Sequence, residues 1–314
     1  MFQKIKHIID NGNTFLVTSH IDPDGDSVGS ALSMYWMFES LGKKAVIYMK
    51  DKTPYRYKFL DTPSLVTHDF PEGYFDAVFV LDCGSLFRVG DGYEKLKSLG
   101  IIINIDHHDT NEKFGEINFI DAKACSTAEI MYKLYRSMNI SINHNMAINI
   151  YTAISTDTGS FRHENTNSDA FLICEQMLQL GVSPSYVSQM VFENHPKERF
   201  RLFGMLLSTL ETYDEDRIAI TYITKEMFQK TGTSREHSEG FVEMLKEIKG
   251  IEVVVLLREI GANRYKASMR AKKDVNVAEI CNIFGGGGHK KAAGCVIDGN
   301  IDEVKGKIKE VLKI

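Results

Sequence analysis

Short apolar runs that stop abruptly at polar residues set the tightest limit on how this chain can fold. Residues 14–19, 45–49, 75–81 and 100–105 are rich in β-branched and aromatic side chains, as strands buried in a parallel sheet are. Between the first two, residues 27–41 place Val28, Leu32, Tyr35, Trp36 and Phe38 at spacings near three and four and end at Gly42, the marks of an amphipathic helix with a glycine stop. Strand alternating with helix predicts a parallel α/β domain.

The pattern then changes. Residues 184–213 read as a polar, helical connector without strand signals, carrying an apolar stripe through Leu202, Phe203, Leu206, Leu207 and Leu210. Beyond it, residues 217–223, 251–260, 264–270 and 294–297 read as strands, with helical patterns at 236–248, at 277–284 and at the C-terminus. A length of 314 residues also favours two cores over one. The expected organisation is an N-terminal domain over 1–183, a helical linker over 184–213 and a smaller α/β domain over 214–314.

Composition removes several classes. A net charge of -5 argues against holding long nucleic acid on a broad basic surface. The five cysteines are odd in number and form no CxxC pair, which disfavours a disulfide framework and a thiolate zinc site. No run approaches the roughly 18 apolar residues of a membrane span, and the N-terminus intersperses Lys4, Lys6 and Asp10 where a signal peptide would be uncharged. A soluble cytoplasmic protein is expected.

Chemistry concentrates where the strands end. The first expected strand runs into Ser19-His20-Ile21-Asp22-Pro23-Asp24-Gly25-Asp26-Ser27, the third into Asp82, the fourth into Asp106-His107-His108-Asp109. A fourth cluster, Ser155 to Arg162, contains Asp157 and follows the helical segment 147–154. Taken singly, each has a bland reading: Asp26 or Ser27 as a helix cap, Asp82 as a turn former, the histidines as surface residues, Arg162 as a partner of a helix C-terminus. Together they fall where open α/β sheets bind ligands, and so many carboxylates beside two histidines would be costly without cations. Successive side chains at a strand end diverge, so His107 and His108 are expected to do different jobs.

The candidate ligands are all histidine and aspartate, a set that suits Mn²⁺, Mg²⁺ or Co²⁺ better than structural zinc. Two such ions can stabilise the attacking and leaving oxygens of an in-line displacement at phosphorus. In the second half, Gly285-Gly286-Gly287-Gly288-His289-Lys290 would let backbone amides approach an anion, with Arg270 converging from a neighbouring strand.

These motifs, in this order, closely resemble those of the DHH/DHHA1 phosphoesterase family. His20 with Asp24 and Asp26, Asp82, Asp106-His107-His108 and Asp157 match its successive metal motifs, and Gly286-Gly287-Gly288-His289 with Ala292-Ala293-Gly294 matches the glycine loop of its C-terminal substrate domain. The resemblance implies two divalent ions, Mn²⁺ foremost. His20 and Asp24 would hold one, Asp26 and His107 the other, and Asp82 and Asp157 would bridge or share them. It further implies that His108 contacts the scissile phosphate with Asp106 supporting the histidine pair. Arg88, Arg162, Arg270, Gly286, Gly287, Gly288 and His289 are the expected substrate contacts. Within the family the chain is most similar to members that degrade nanoRNA to mononucleotides and remove the 3′-phosphate of adenosine 3′,5′-bisphosphate (pAp). Expected partners are therefore short RNA, dinucleotides and pAp, and a homodimer is compatible with the sequence. Standalone phosphodiesterases of cyclic di-AMP or its linear product pApA share these motifs, and a noncatalytic nucleotide-binding module is the alternative of a different class.

Overall fold

A computed structural model describes residues 2–60 and 62–312, which divide into compact units at Asn194 and His195. The first unit is built on six parallel strands: β1 (Thr14–Thr18), β2 (Lys44–Tyr48), β3 (Val66–Thr67), β4 (Ala77–Leu81), β5 (Ile101–Asp106) and β6 (Ile117–Ile120). Their order is β3-β2-β1-β4-β5-β6. The chain thus builds outward from β1 in both directions, and the reversal lies between β1 and β4. Connections diverge there and leave a crevice at the carboxyl ends of the strands.

β4 is buried along its whole length, as expected of a central strand with both faces covered. One face packs Phe15, Val17, Phe79 and Ile103 under helices, and the other packs Leu16, Val78, Val80 and Ile102. The Gly25–Ser40 helix lies against the His144–Asp157 helix more closely than side chains would permit. A Cβ on Gly25 would stand 2.1 Å from Thr156 Oγ1, and one on Gly29 would stand 2.5 Å from the Asn149 carbonyl. This close packing brings Asp157, the last residue of its helix, beside the loop after β1.

The second unit has the mixed sheet β11-β12-β10-β9-β8-β7, formed by β7 (Glu211–Tyr213), β8 (Ile218–Ile223), β9 (Val253–Gly261), β10 (Arg264–Ala271), β11 (Gly287–His289) and β12 (Ala292–Asp298). Only β8 and β9 pair in parallel within it. Val255, Leu257 and Met269 face a core with Val277, Val304 and Ile308, while Val254 and Leu256 face another with Leu202, Leu206 and Phe241.

The structure departs from the sequence reading in four places. The stretch expected to be a strand-free connector comprises the helices Pro184–Phe192 and Lys197–Leu207 and ends in β7. Val187 and Val191 pack into the first unit and Leu202 and Leu206 into the second. The helical pattern at 236–248 is a 3-10 turn, Arg235–Ser238, and a short helix, Phe241–Lys246, separated at Gly240, whose φ of 80° stops continuation. The glycine run is not an open loop: Gly287 to His289 form the edge strand β11, paired with β12. Cβ atoms on Gly286 and Gly288 would meet backbone at 2.2 and 2.5 Å, so tight packing requires glycine at both. Lastly, the cap of the Gly25–Ser40 helix is Asp24 rather than Asp26 or Ser27. No helix of the described residues is long and apolar enough to cross a membrane.

Asp76 fastens the start of β1 to β4. Its carboxylate accepts from the amides of Asn13 and Thr14 at 2.7 and 2.9 Å, and these bonds, the Asn13 amide first, hold its pKa below the usual carboxylate value. The stabilisation is therefore fully present above the unfolded-state pKa and is lost as pH falls through the folded one. Asp76→Ala is expected to destabilise the first unit by about 1 kcal/mol at pH 7, solvent screening keeping the loss modest. The deficit should shrink as pH falls below the unfolded-state pKa and disappear only below the folded-state one. Urea unfolding followed by fluorescence of Trp36, the chain's single tryptophan, measures both.

Candidate metal centre

Three adjacent strands and one helix deliver the charged residues to a common place. β1 leads into His20 and Asp24, β4 into Asp82, β5 into Asp106, His107 and His108, and the His144–Asp157 helix ends on Asp157. Asp82 takes a left-handed φ of 53°, uncommon for a residue with a side chain and concentrated at functional sites.

The donors gather in three overlapping groups. His20, Asp24 and Asp82 form one, Asp26, His107 and Asp157 another, and Asp82, His107 and His108 a third that links the first two. His20 Nε2 is 3.6 Å from Asp82 Oδ2 and 3.9 Å from Asp24 Oδ1. His107 Nε2 is 3.6 Å from Asp82 Oδ1, 3.8 Å from Asp157 Oδ2 and 3.9 Å from Asp26 Oδ2. The two oxygens of Asp82 thus face different groups. These separations exceed hydrogen-bond length, yet two donors each about 2.1 Å from one ion lie roughly 3–4 Å apart. Oxygen and nitrogen donors at that spacing fit divalent cations.

Electrostatics supports the same reading. Asp26 and Asp82 are 1% and 2% exposed. Burial and then the charge of Asp82 push the Asp26 carboxyl well above its ordinary range. Burial raises Asp157 to about 7 although His107 opposes it. His107 rises to about 9 because Asp157, Asp82 and Asp26 outweigh its burial. Burial also acts against Asp82, but the neighbouring imidazoles of His20, His108 and His107 hold it well below the usual range. Cations in the two groups would relieve this repulsion and restore the carboxylates to their ionised form.

The two adjacent histidines are oriented differently. His108 Nδ1 lies 2.7 Å from Asp106 Oδ1, and Asp106 also accepts from the His107 amide at 2.8 Å and from Asn111 at 2.6 Å. Asp106 is fully buried and fixes the local backbone as well as the His108 ring. His107 instead directs Nε2 into the second group, its Nδ1 lying 3.4 Å from the Ala124 carbonyl.

Among the other expected residues, Arg88 is exposed and close enough for its charge to oppose, as the smallest of several contributions, the raised pKa of His20. Arg162 directs Nε to the Gly159 carbonyl, 2.8 Å away, in the loop after its own helix. In the second unit, Arg270, Ala292 and His289 lie in one cross-strand row over β10, β12 and β11, which puts Arg270 and His289 on the same sheet face. Arg270 Nε is 2.7 Å from Glu243 and Nη1 is 3.0 Å from the Met269 carbonyl.

Sequence reasoning missed the residues that aim the carboxylates. Thr127 donates its hydroxyl to Asp82 Oδ1 at 3.1 Å and its amide to Asp26 Oδ2 at 2.6 Å, while the Ala128 amide reaches Asp26 Oδ1 at 3.1 Å. Both amides belong to the first turn of the Thr127–Ser137 helix, capped by Ser126, where unpaired N–H groups and the helix dipole favour an anion. The signal was present as Ser126-Thr127-Ala128-Glu129, a helix-start pattern, but nothing in it names Asp26 or Asp82. Asn165 donates to Asp157 Oδ2 at 3.0 Å.

Thr127→Val keeps the shape of the side chain and removes the Asp82 hydrogen bond. It is expected to weaken divalent-metal binding by about 10–100-fold, the usual effect of losing a group that orients a ligand. Calorimetric Mn²⁺ titration of the chelator-treated variant checks this, with circular dichroism to confirm the fold.

Comparison with known proteins agrees with this architecture. Residues 14–154 match the model of the DHH family, N-terminal domain, and residues 215–314 match that of the DHHA1 domain. A protein of Thermus thermophilus named bifunctional oligoribonuclease and PAP phosphatase is 29% identical over 303 residues, covering 95% of this chain and 88% of its own. Its counterpart in Bacillus subtilis is 25% identical over 288 residues, covering 91% and 90%. The crystal structure of an exopolyphosphatase-related protein from Bacteroides fragilis superposes with a TM-score of 0.91 at 25% identity, over 99% of this chain and 95% of that one. The two family models occupy the two units in order and together span most of the chain, which belongs to the DHH/DHHA1 phosphoesterase family.

Proposed function

We propose that the protein hydrolyses very short oligoribonucleotides to mononucleotides and removes the 3′-phosphate of pAp, using two divalent cations, Mn²⁺ foremost with Mg²⁺ or Co²⁺ as substitutes. The observation that carries this reading is the pair of donor groups sharing Asp82, with oxygens 3.6 Å from His20 and from His107. The relatives named for both activities support the choice of substrates. In this reading His20 and Asp24 would hold one cation and Asp26, His107 and Asp157 the other, with Asp82 available to both. Bound there, the cations supply the positive charge that an in-line displacement at phosphorus requires.

The chain's own residues do the rest. Thr127 and the helix amides behind it keep Asp82 and Asp26 from turning away. Asp106 fixes the His108 ring by its Nδ1 edge, so that Nε2 meets a phosphoryl oxygen. On the second unit, His289 and the Arg270 Nη2, which engages no partner among the described residues, grip the remainder of a short nucleotide.

EDTA is expected to abolish release of mononucleotides from a labelled dinucleotide and Mn²⁺ to restore it, and the activity should survive replacement of all five cysteines, which are buried and free. His108→Ala should lose turnover while elemental analysis shows full metal content; loss of an ion would contradict its assignment to phosphate. A side-by-side assay with pAp, pApA, cyclic di-AMP, short RNA and pyrophosphate ranks the substrates. Arg270→Ala or His289→Ala should cut kcat/KM for pAp by about 1.5–3 kcal/mol, the scale of a hydrogen bond to a charged group. A small activated phosphodiester should be hydrolysed nearly as well as by the parent, and equal loss on both substrates would contradict the division of labour.

A further inference from the structure

One short segment supports a whole group of metal donors. Residues 124–128, buried throughout, reach each member of the Asp26, His107 and Asp157 group. The Ala124 carbonyl is 3.4 Å from His107 Nδ1. The Cys125 carbonyl accepts from Asn165 Nδ2 at 2.8 Å, and the same nitrogen is 3.0 Å from Asp157 Oδ2. The Thr127 and Ala128 amides hold Asp26, and the Thr127 hydroxyl holds Oδ1 of Asp82, the oxygen that faces His107. His20 and Asp24 are held within their own loop instead. His20 Nδ1 is 2.7 Å from the Ile21 carbonyl, and Asp24 accepts from the Ser27 amide at 3.0 Å.

The segment is fixed in turn by Glu129, which is 1% exposed. Its Oε2 accepts from the Cys125 amide at 2.8 Å and from Asn167 Nδ2 at 2.9 Å, and its Oε1 accepts from Lys133 Nζ at 2.6 Å. Glu129 is the third residue of the helix capped by Ser126, a position from which a glutamate ordinarily turns back to the amide of the capping residue. Here it reaches one residue further, to Cys125, whose carbonyl anchors Asn165. Asn167 stands two residues beyond Asn165 and caps the Ser168–Gln179 helix. Glu129 therefore ties together the two stretches that meet at the bond between Asn165 and Cys125. A carboxylate taken out of water is costly unless it is fully paired, and capping alone does not require that burial. None of these bonds goes to a metal donor, so an effect of Glu129 on a cation passes through Cys125 and Asn167.

We propose that Glu129 is a positioning residue for one cation and not for the other. It holds the 124–128 segment and with it the Asp26, His107 and Asp157 group, while the His20 and Asp24 group is independent of it. The inference rests on the reading that each group takes a cation, and it adds that the protein sets the affinities of the two sites separately.

The test is calorimetric Mn²⁺ titration of the chelator-treated full chain without substrate. In Glu129→Ala one of two sites is expected to weaken by about 10–100-fold, the usual effect of losing a group that orients a ligand, while the other stays within about threefold of the parent. Glu129→Gln keeps an acceptor for the Cys125 amide but loses the charge that Lys133 meets, and it should lie between. Asn167→Ser keeps a cap for its helix, removes the amide that meets Glu129, and should weaken the same site. Both variants keep the test open if Glu129→Ala fails to fold. Two backgrounds identify the site: added to Asp24→Asn, Glu129→Gln should weaken the site that remains, and added to Asp26→Asn it should leave the remaining site within about threefold. Melting temperatures are followed in parallel, since a role confined to stability would lower them without separating the two sites. Equal weakening of both sites, unchanged affinities in both Glu129→Gln and Asn167→Ser, or an effect that follows the Asp24 site overturns the proposal and leaves the two-cation reading standing. A parent that binds fewer than two ions would sink that reading itself, and the proposal with it.

Discussion

Mutual repulsion among buried carboxylates is the constraint that the first unit is organised around. Asp26, Asp82 and Asp106 are at most 2% exposed, and Asp157 is close enough for its charge to act on Asp26 and His107. Gathering them out of water is unfavourable unless each is held by donors and the set is neutralised. The protein supplies the donors itself: helix amides to Asp26, a threonine hydroxyl to Asp82, an asparagine and a backbone amide to Asp106, another asparagine to Asp157. Neutralisation is left to the three histidines and to cations. A polar network satisfied on every side but the one facing the donor groups is rigid and charged in only one direction.

The fold is what makes that arrangement reachable. Because β1 sits between β2 and β4, with β5 next, the ends of β1, β4 and β5 are neighbours although their residues are up to about ninety positions apart in sequence. The fourth contributor arrives by a different route. Glycines at 25 and 29 allow two helices to touch backbone to side chain, and this contact, rather than strand pairing, fixes the position of Asp157. Enlarging either glycine would therefore act on the site through the helix pair without altering any donor.

Much of this was legible in the sequence because buried parallel strands announce themselves as short apolar runs and their ends as sudden polarity. His20, Asp82 and the Asp106-His107-His108 run stand immediately after such runs. What was not legible depended on pairing between distant segments. The 101-residue separation of Asp26 from Thr127 gives no local sign, and a capping pattern at Ser126 says only that a helix begins. The glycine run misled for a physical reason. Glycine suits a loop, an anion cradle and close packing of an edge strand alike, and the backbone atoms that a Cβ on Gly286 or Gly288 would strike show that close packing is one of its uses here. The break at Gly240 was likewise hidden inside a plausible helical period.

The two units meet the need for charge complementarity in opposite ways. The first concentrates acid and takes up metal, so its attraction for a phosphate ester exists only while cations are bound. The second carries Arg270 and His289 on one sheet face, and the hold on a nucleotide proposed for them would not depend on metal. A net charge of -5 limits such attraction to local sites instead of a continuous basic track. A ligand short enough to be held by a few phosphates suits that distribution.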